Sequence, residues 1–94
     1  MTFPSDITQT LQERGERYGK FVDHARIAQS FKGYVRNSHQ KKWDELTFDQ
    51  REALEMIFHK IARILNGDPD YADSWIDIAG YAKLVADRLE GVER

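Results

Sequence analysis

Four carboxylates stand at helical spacing in two consecutive stretches of the chain: Glu52 and Glu55 in the first, Asp73 and Asp77 in the second. Residues three or four apart share one face of a helix. Two such pairs on facing helices could offer magnesium the oxygens it prefers, and leave coordination positions for water and phosphate. Lys60, Arg63 and His59 lie between the pairs in sequence. They would neutralise or orient phosphate oxygens, Arg63 with two parallel hydrogen bonds. Gly80 removes a side chain where a ligand or another backbone could approach, and Tyr81 beside it offers a ring for a base and a hydroxyl for a phosphate or ribose.

The same residues also build a plain solvated surface. Glu55, His59 and Arg63 form a row of i,i+4 pairs, each worth a few tenths of a kcal/mol in water. Asp73 falls in the first turn of its helix, where the macrodipole favours an acid. A glycine such as Gly80 can serve close helix packing alone. It nevertheless costs about 1 kcal/mol relative to alanine in mid-helix, and a purely solvated face has little need of it.

His24 stands on an apolar helical face, as a hydrogen-bonded core histidine or as a base-reading or phosphate-contacting group. A zinc site from His24, His39 and His59 is not expected, because no two of them are four residues apart. The run Asn37 to Glu45 has no periodicity and reads as a loop, made locally basic by Arg36, Lys41 and Lys42 around an anchoring Trp43.

The elements that must position these groups are helices. Ser5 or Asp6 can cap a first helix over about residues 6–18, stopped by Gly19. A second helix is predicted over 21–36, with His24, Ile27, Ala28, Phe31, Tyr34 and Val35 on one face. Thr47 and Gln50 form a capping box opening a third helix over 47–66, whose apolar face is Leu54, Ile57, Phe58, Ile61, Ile64 and Leu65. Asp68-Pro69 reads as the start of a fourth over 69–90, with Trp75, Ile78, Ala82, Val85, Ala86 and Leu89 inward. Strand patterns are absent, and the fold class is all-α: about four helices in one bundle-like domain spanning 1–94.

With 94 residues and 40% apolar content, the core is thin, and self-association is expected to complete it. A net charge of −2 gives no electrostatic footprint for nucleic acid, which is not expected as a partner. No cysteine is present, so disulfides and thiolate metal sites are excluded. The N-terminus lacks a signal-peptide pattern, and no apolar run approaches a membrane span, so a soluble, cytoplasmic protein is expected.

The motifs Lys60-Ile61-Ala62-Arg63-Ile64, Gly67-Asp68-Pro69, Asp73-Ser74-Trp75 and Asp77-Ile78-Ala79-Gly80-Tyr81 resemble a phage and prophage family of unknown function. Glu13-Arg14-Gly15, Tyr18-Gly19 and His24-Ala25 resemble its N-terminal signature. More distantly, Glu52-x-x-Glu55 is similar to the first acid pair of the MazG-like all-α nucleoside triphosphate pyrophosphohydrolases. Their second pair is Glu-x-x-Asp; here Ser74 precedes Asp77 by three and the acid is Asp73.

The MazG-like resemblance implies Mg2+ held by Glu52, Glu55, Asp73 and Asp77, with catalysis resting on Glu52, Glu55 and Asp77. It implies charge stabilisation on the leaving group by Lys60 and Arg63, release of a nucleoside monophosphate and pyrophosphate, and a homo-oligomer. The side-chain chemistry of Tyr81, His24 and His59 adds these three as candidate nucleotide contacts. The phage resemblance implies a host cell that is infected or lysogenic. It also opens a second class of function: a non-enzymatic accessory or anti-defence protein that sequesters a nucleotide signal or binds a host protein.

Overall fold

The computed structural model describes residues 5–94 and, of Ser5, the backbone alone. The capping role open to Ser5 and the reading of the first four residues lie outside the described groups. Four helices follow in order: α1 (Ser5–Tyr18), α2 (Phe21–Glu45), α3 (Phe48–Asn66) and α4 (Ala72–Leu89). The described residues hold no strand, and the protein is all-α and bundle-like. None of its helices is long and apolar enough to cross a membrane.

The third helix is central. It packs against α2 on one side and α4 on the other, while α2 and α4 do not meet. α1 touches α2 and α3, and its residues from Asp6 to Arg17 are exposed. The fully buried apolar positions are small, Ala28, Ala53 and Ala62. Larger side chains on α2 and α3 are half-buried and meet in an aromatic row. Phe31 stacks on Phe58 at 5.8 Å and Trp43 on the same ring at 6.4 Å.

That row explains the first departure from the sequence reading. Asn37 to Glu45 is not a loop but the continuation of α2, broken only at His39 (φ −141, ψ 39). Gln40, Lys41 and Lys42 are good helix formers, and Trp43 needs the helix to reach Phe58. Ser38 donates to the Tyr34 carbonyl at 2.6 Å, a back-bond that bends helices, and the break follows it directly.

The start of α4 also differs. Asp68 does not cap it. Its carboxylate accepts from the Asp70 N–H at 2.9 Å, its carbonyl accepts from the Tyr71 N–H, and the Trp75 indole donates to the Pro69 carbonyl at 2.9 Å. The aspartate thus closes a turn on its own backbone, and the helix begins at Ala72. The Thr47–Gln50 box is present, with Gln50 Oε1 accepting from the Thr47 N–H at 2.9 Å.

The inward face of α4 is the third difference. Ser74 and Asp87 are buried, and Asp77, Ile78, Tyr81, Val85 and Arg88 are half-buried, whereas Trp75, Ala82, Ala86 and Leu89 are exposed. Charge pairing with α3, described below, turns the polar face inward.

Candidate functional site: a cationic cavity between α1, α2 and α3

The junction between α1 and α2 is docked on the turn after α3 by backbone approach. Gly19, with φ +79, ends α1 by donating to the Gly15 carbonyl at 2.9 Å. A Cβ on Gly19 would run into Asn66, and one on Gly67 into the backbone of Arg17 and Tyr18. Glycine at both places lets the two turns touch. Asn66 Nδ2 then donates to the Tyr18 and Lys20 carbonyls at 3.0 and 2.9 Å, and the Asp68 N–H donates to the Arg17 carbonyl at 2.8 Å. Arg17 bonds the Tyr71 hydroxyl at 2.9 Å, which donates in turn to Asp73 at 2.9 Å. That carboxylate holds the Tyr71 proton above its ordinary range.

Behind this junction lies a cavity of about 460 Å³, within the size range of small-molecule sites. Leu11, Tyr18 and Phe21 give it apolar walls; Arg14, Lys20, His24, His59 and Arg63 supply its polar groups. No carboxylate lines it. Among the described residues no ion pair engages Arg14, Lys20 or Arg63. The Arg63 guanidinium lies instead over the Tyr18 ring, 4.2 Å from its centre. This stack holds the side chain at the cavity while leaving its donors free.

At the cavity floor, His24 Nε2 and His59 Nδ1 share a hydrogen bond at 3.1 Å, their rings edge-on at 4.4 Å. His24 is 5% exposed, and its Nδ1 is buried with no partner. Burial and the Arg63 and Lys60 charges disfavour protonation of both rings, and His24 adds to the effect on His59. His59 is pushed down to about 4, and His24 is lowered too, chiefly by burial. Both are therefore neutral at pH 7, one donating to the other. Cations gathered without an acid favour an anion between them, and His24 Nδ1 would donate to one only in the tautomer that carries its proton there.

The acids expected to hold magnesium are arranged differently. Buried Lys60 pairs with Asp77 at 3.0 Å, and Arg88 grips Asp49 with bonds of 2.7 and 2.8 Å. The Arg88 guanidinium holds that carboxyl well below the usual range. These pairs set the register of α3 against α4. In it, Glu55 and Glu52 lie about 7.5 and 12 Å along the axis from Asp77, and Asp73 lies about 6 Å from it in the opposite direction. No three His, Asp or Glu side chains among the described residues converge as a cation site. The donor set of one chain thus does not fit magnesium: Asp77 is taken by Lys60, Asp73 by Tyr71, and Glu52 is exposed.

Of the residues singled out from sequence, His24, His59 and Arg63 come together. Lys60 faces the other side of α3. Tyr81 borders grooves along α4 with Leu84 and Arg94. Arg14 and Lys20 were not anticipated as site residues. Arg14 stands in the Glu13-Arg14-Gly15 signature and Lys20 directly follows Tyr18-Gly19, but their partner on α3 only the fold reveals.

No curated protein and no solved structure matches the chain. A family described as a domain of unknown function, DUF6378, matches residues 7–89, which takes in the cavity and the α3–α4 seam alike. The chain belongs to that family, DUF6378.

Proposed function

We propose that this is a nucleotide-binding protein of phage type that holds a nucleotide phosphate in the cavity between α1, α2 and α3. The observation that carries the reading is a cavity lined by Arg14, Lys20 and Arg63, none ion-paired among the described residues, with no carboxylate in its lining. Arg63, Arg14 and Lys20 would contact phosphate oxygens, Arg63 with two donors at once. Tyr18 and the exposed Phe21, stacked on His24 at 5.9 Å, offer faces to a base.

Binding is favoured over hydrolysis because Lys60 and Tyr71 engage Asp77 and Asp73, two of the four acids that a MazG-like enzyme would use for Mg2+. Sequestration of a nucleotide signal, as a phage accessory or anti-defence protein would perform it, suits that chemistry.

Titration calorimetry with mono-, tri- and cyclic nucleotides, each with and without Mg2+, tests the proposal. At least one should bind without Mg2+, and Arg63→Ala should weaken it tenfold or more, the value of a charged hydrogen bond. If none binds, the proposal fails. Mg2+-dependent pyrophosphate release that Glu52→Gln abolishes would replace it with the hydrolase reading.

A further inference from the structure

The cavity between α1, α2 and α3 is rich in hydrogen-bond donors and poor in acceptors. Arg14, Lys20 and Arg63 in its lining carry donors alone. Gly19, Lys20 and Phe21, where α2 opens, line it as well. The N-cap of α2 is Lys20, and no side chain caps the first turn. The helix therefore adds unclaimed N–H groups and the positive end of its dipole at the same place.

Acceptors are scarce. Among the described residues no Asp, Glu, Asn, Gln, Ser or Thr lines the cavity. The Tyr18 and Lys20 carbonyls already accept from Asn66 Nδ2. The Lys20 carbonyl also accepts from the Asp23 and His24 N–H groups, both at 3.1 Å, and the Gly15 carbonyl from the Gly19 N–H. Of the lining side chains, the Tyr18 hydroxyl and a ring nitrogen of the histidine pair are left to accept.

Such a lining cannot tell bases apart. Adenine, cytosine and guanine present amino groups, which carboxylates and side-chain amides read, and neither is here. Stacking on Phe21, 77% exposed, is open to any base, because every base has a π-face. Ionised phosphates are acceptors throughout, and several in a row match several adjacent cations. A Mg2+ ion riding on them would cancel their charge and enter among cations with no carboxylate to receive it.

Resting on the nucleotide reading, we infer that the cavity selects a metal-free oligophosphate whatever base it carries, and that Mg2+ competes with the protein for it.

Calorimetry on the full chain with ATP, GTP, CTP, UTP, AMP and base-free tripolyphosphate tests this. Without Mg2+ the four nucleoside triphosphates should bind within about fivefold of one another, since stacking is base-tolerant. Tripolyphosphate should bind more tightly than AMP, which keeps a base but a single phosphate. Excess Mg2+ should weaken each triphosphate about tenfold or more. Arg14→Ala, at an exposed position, should weaken ATP and tripolyphosphate by the same factor, about tenfold, with helical circular dichroism retained. The inference is overturned, with nucleotide binding left standing, by one triphosphate preferred tenfold over the rest, by AMP outbinding tripolyphosphate, or by affinity that rises with Mg2+. If every nucleotide is refused, the nucleotide reading falls and the inference with it.

Discussion

The two sides of α3 handle charge in opposite ways. Toward α4, every buried charge among the described residues has a partner: Lys60 with Asp77, and Asp87 with Lys83 and Arg94. Toward α1 and α2, His24, His59, Arg63, Arg14 and Lys20 gather with no acid among them. Residues one position apart, His59 and Lys60, serve the two arrangements. Paired charge specifies a fold; unpaired charge held in a cavity is free for a ligand. The α4 side therefore reads as structure and the α1–α2 side as site.

Removing the acid at the α4 seam is the strongest way to break this contrast. Asp77→Ala leaves Lys60, 8% exposed, charged and alone. A fully buried broken pair costs 3–5 kcal/mol; with Asp77 half-exposed, about 2 kcal/mol is expected. That corresponds to a melting temperature lower by roughly 8–16 °C. Lys60→Met should cost less, because no buried charge is stranded. Thermal melts of both variants decide it. If Asp77→Ala melts like the wild type and loses Mg2+ affinity instead, the seam is a metal site.

Arg63→Ala should show the reverse profile. Its loss removes one stack on Tyr18, worth about 0.5–1 kcal/mol, so melting shifts by only a few degrees. Sulfate, a dianion with no titration near neutrality, should stabilise the wild type in a thermal melt and fail to stabilise this variant. Equal stabilisation of both would remove Arg63 from the site.

The helices themselves were legible because apolar spacing and the Thr47–Gln50 box are local signals. The inward face of α4 was not. Trp75 and Leu89 looked like core by hydropathy, but the Lys60–Asp77 and Arg88–Asp49 pairs turn the polar side to α3, leaving both exposed. The continuation of α2 was hidden because Asn37, Ser38 and His39 look like a break, while Trp43 and its partner Phe58 are far apart in sequence. For the site, the chemistry of His24, His59 and Arg63 was readable residue by residue. Their meeting was not, since it depends on Gly19 and Gly67 bringing two distant turns into contact.

The smallest effect is carried by pH. The unfolded chain protonates His59 near 6.5, whereas the folded chain does so only near 4. Between those values the unfolded state binds the proton that the native state refuses, so stability falls as pH drops from about 6.5 toward 4. Above 6.5 the ring is neutral in both states and contributes nothing. Discounted for the water that reaches His59, the loss at pH 5.5 is below about 1 kcal/mol. A dianion in the cavity reverses the sign, because a negative charge beside the rings favours imidazolium. Sulfate should therefore bind more tightly at pH 6 than at pH 8, with proton uptake measurable by calorimetry in buffers of different ionisation enthalpy. His59→Gln should flatten both the melting profile and the affinity profile. If affinity is flat in the wild type while the melting profile still slopes, the histidine pair belongs with the paired charges of the α4 seam rather than with the site.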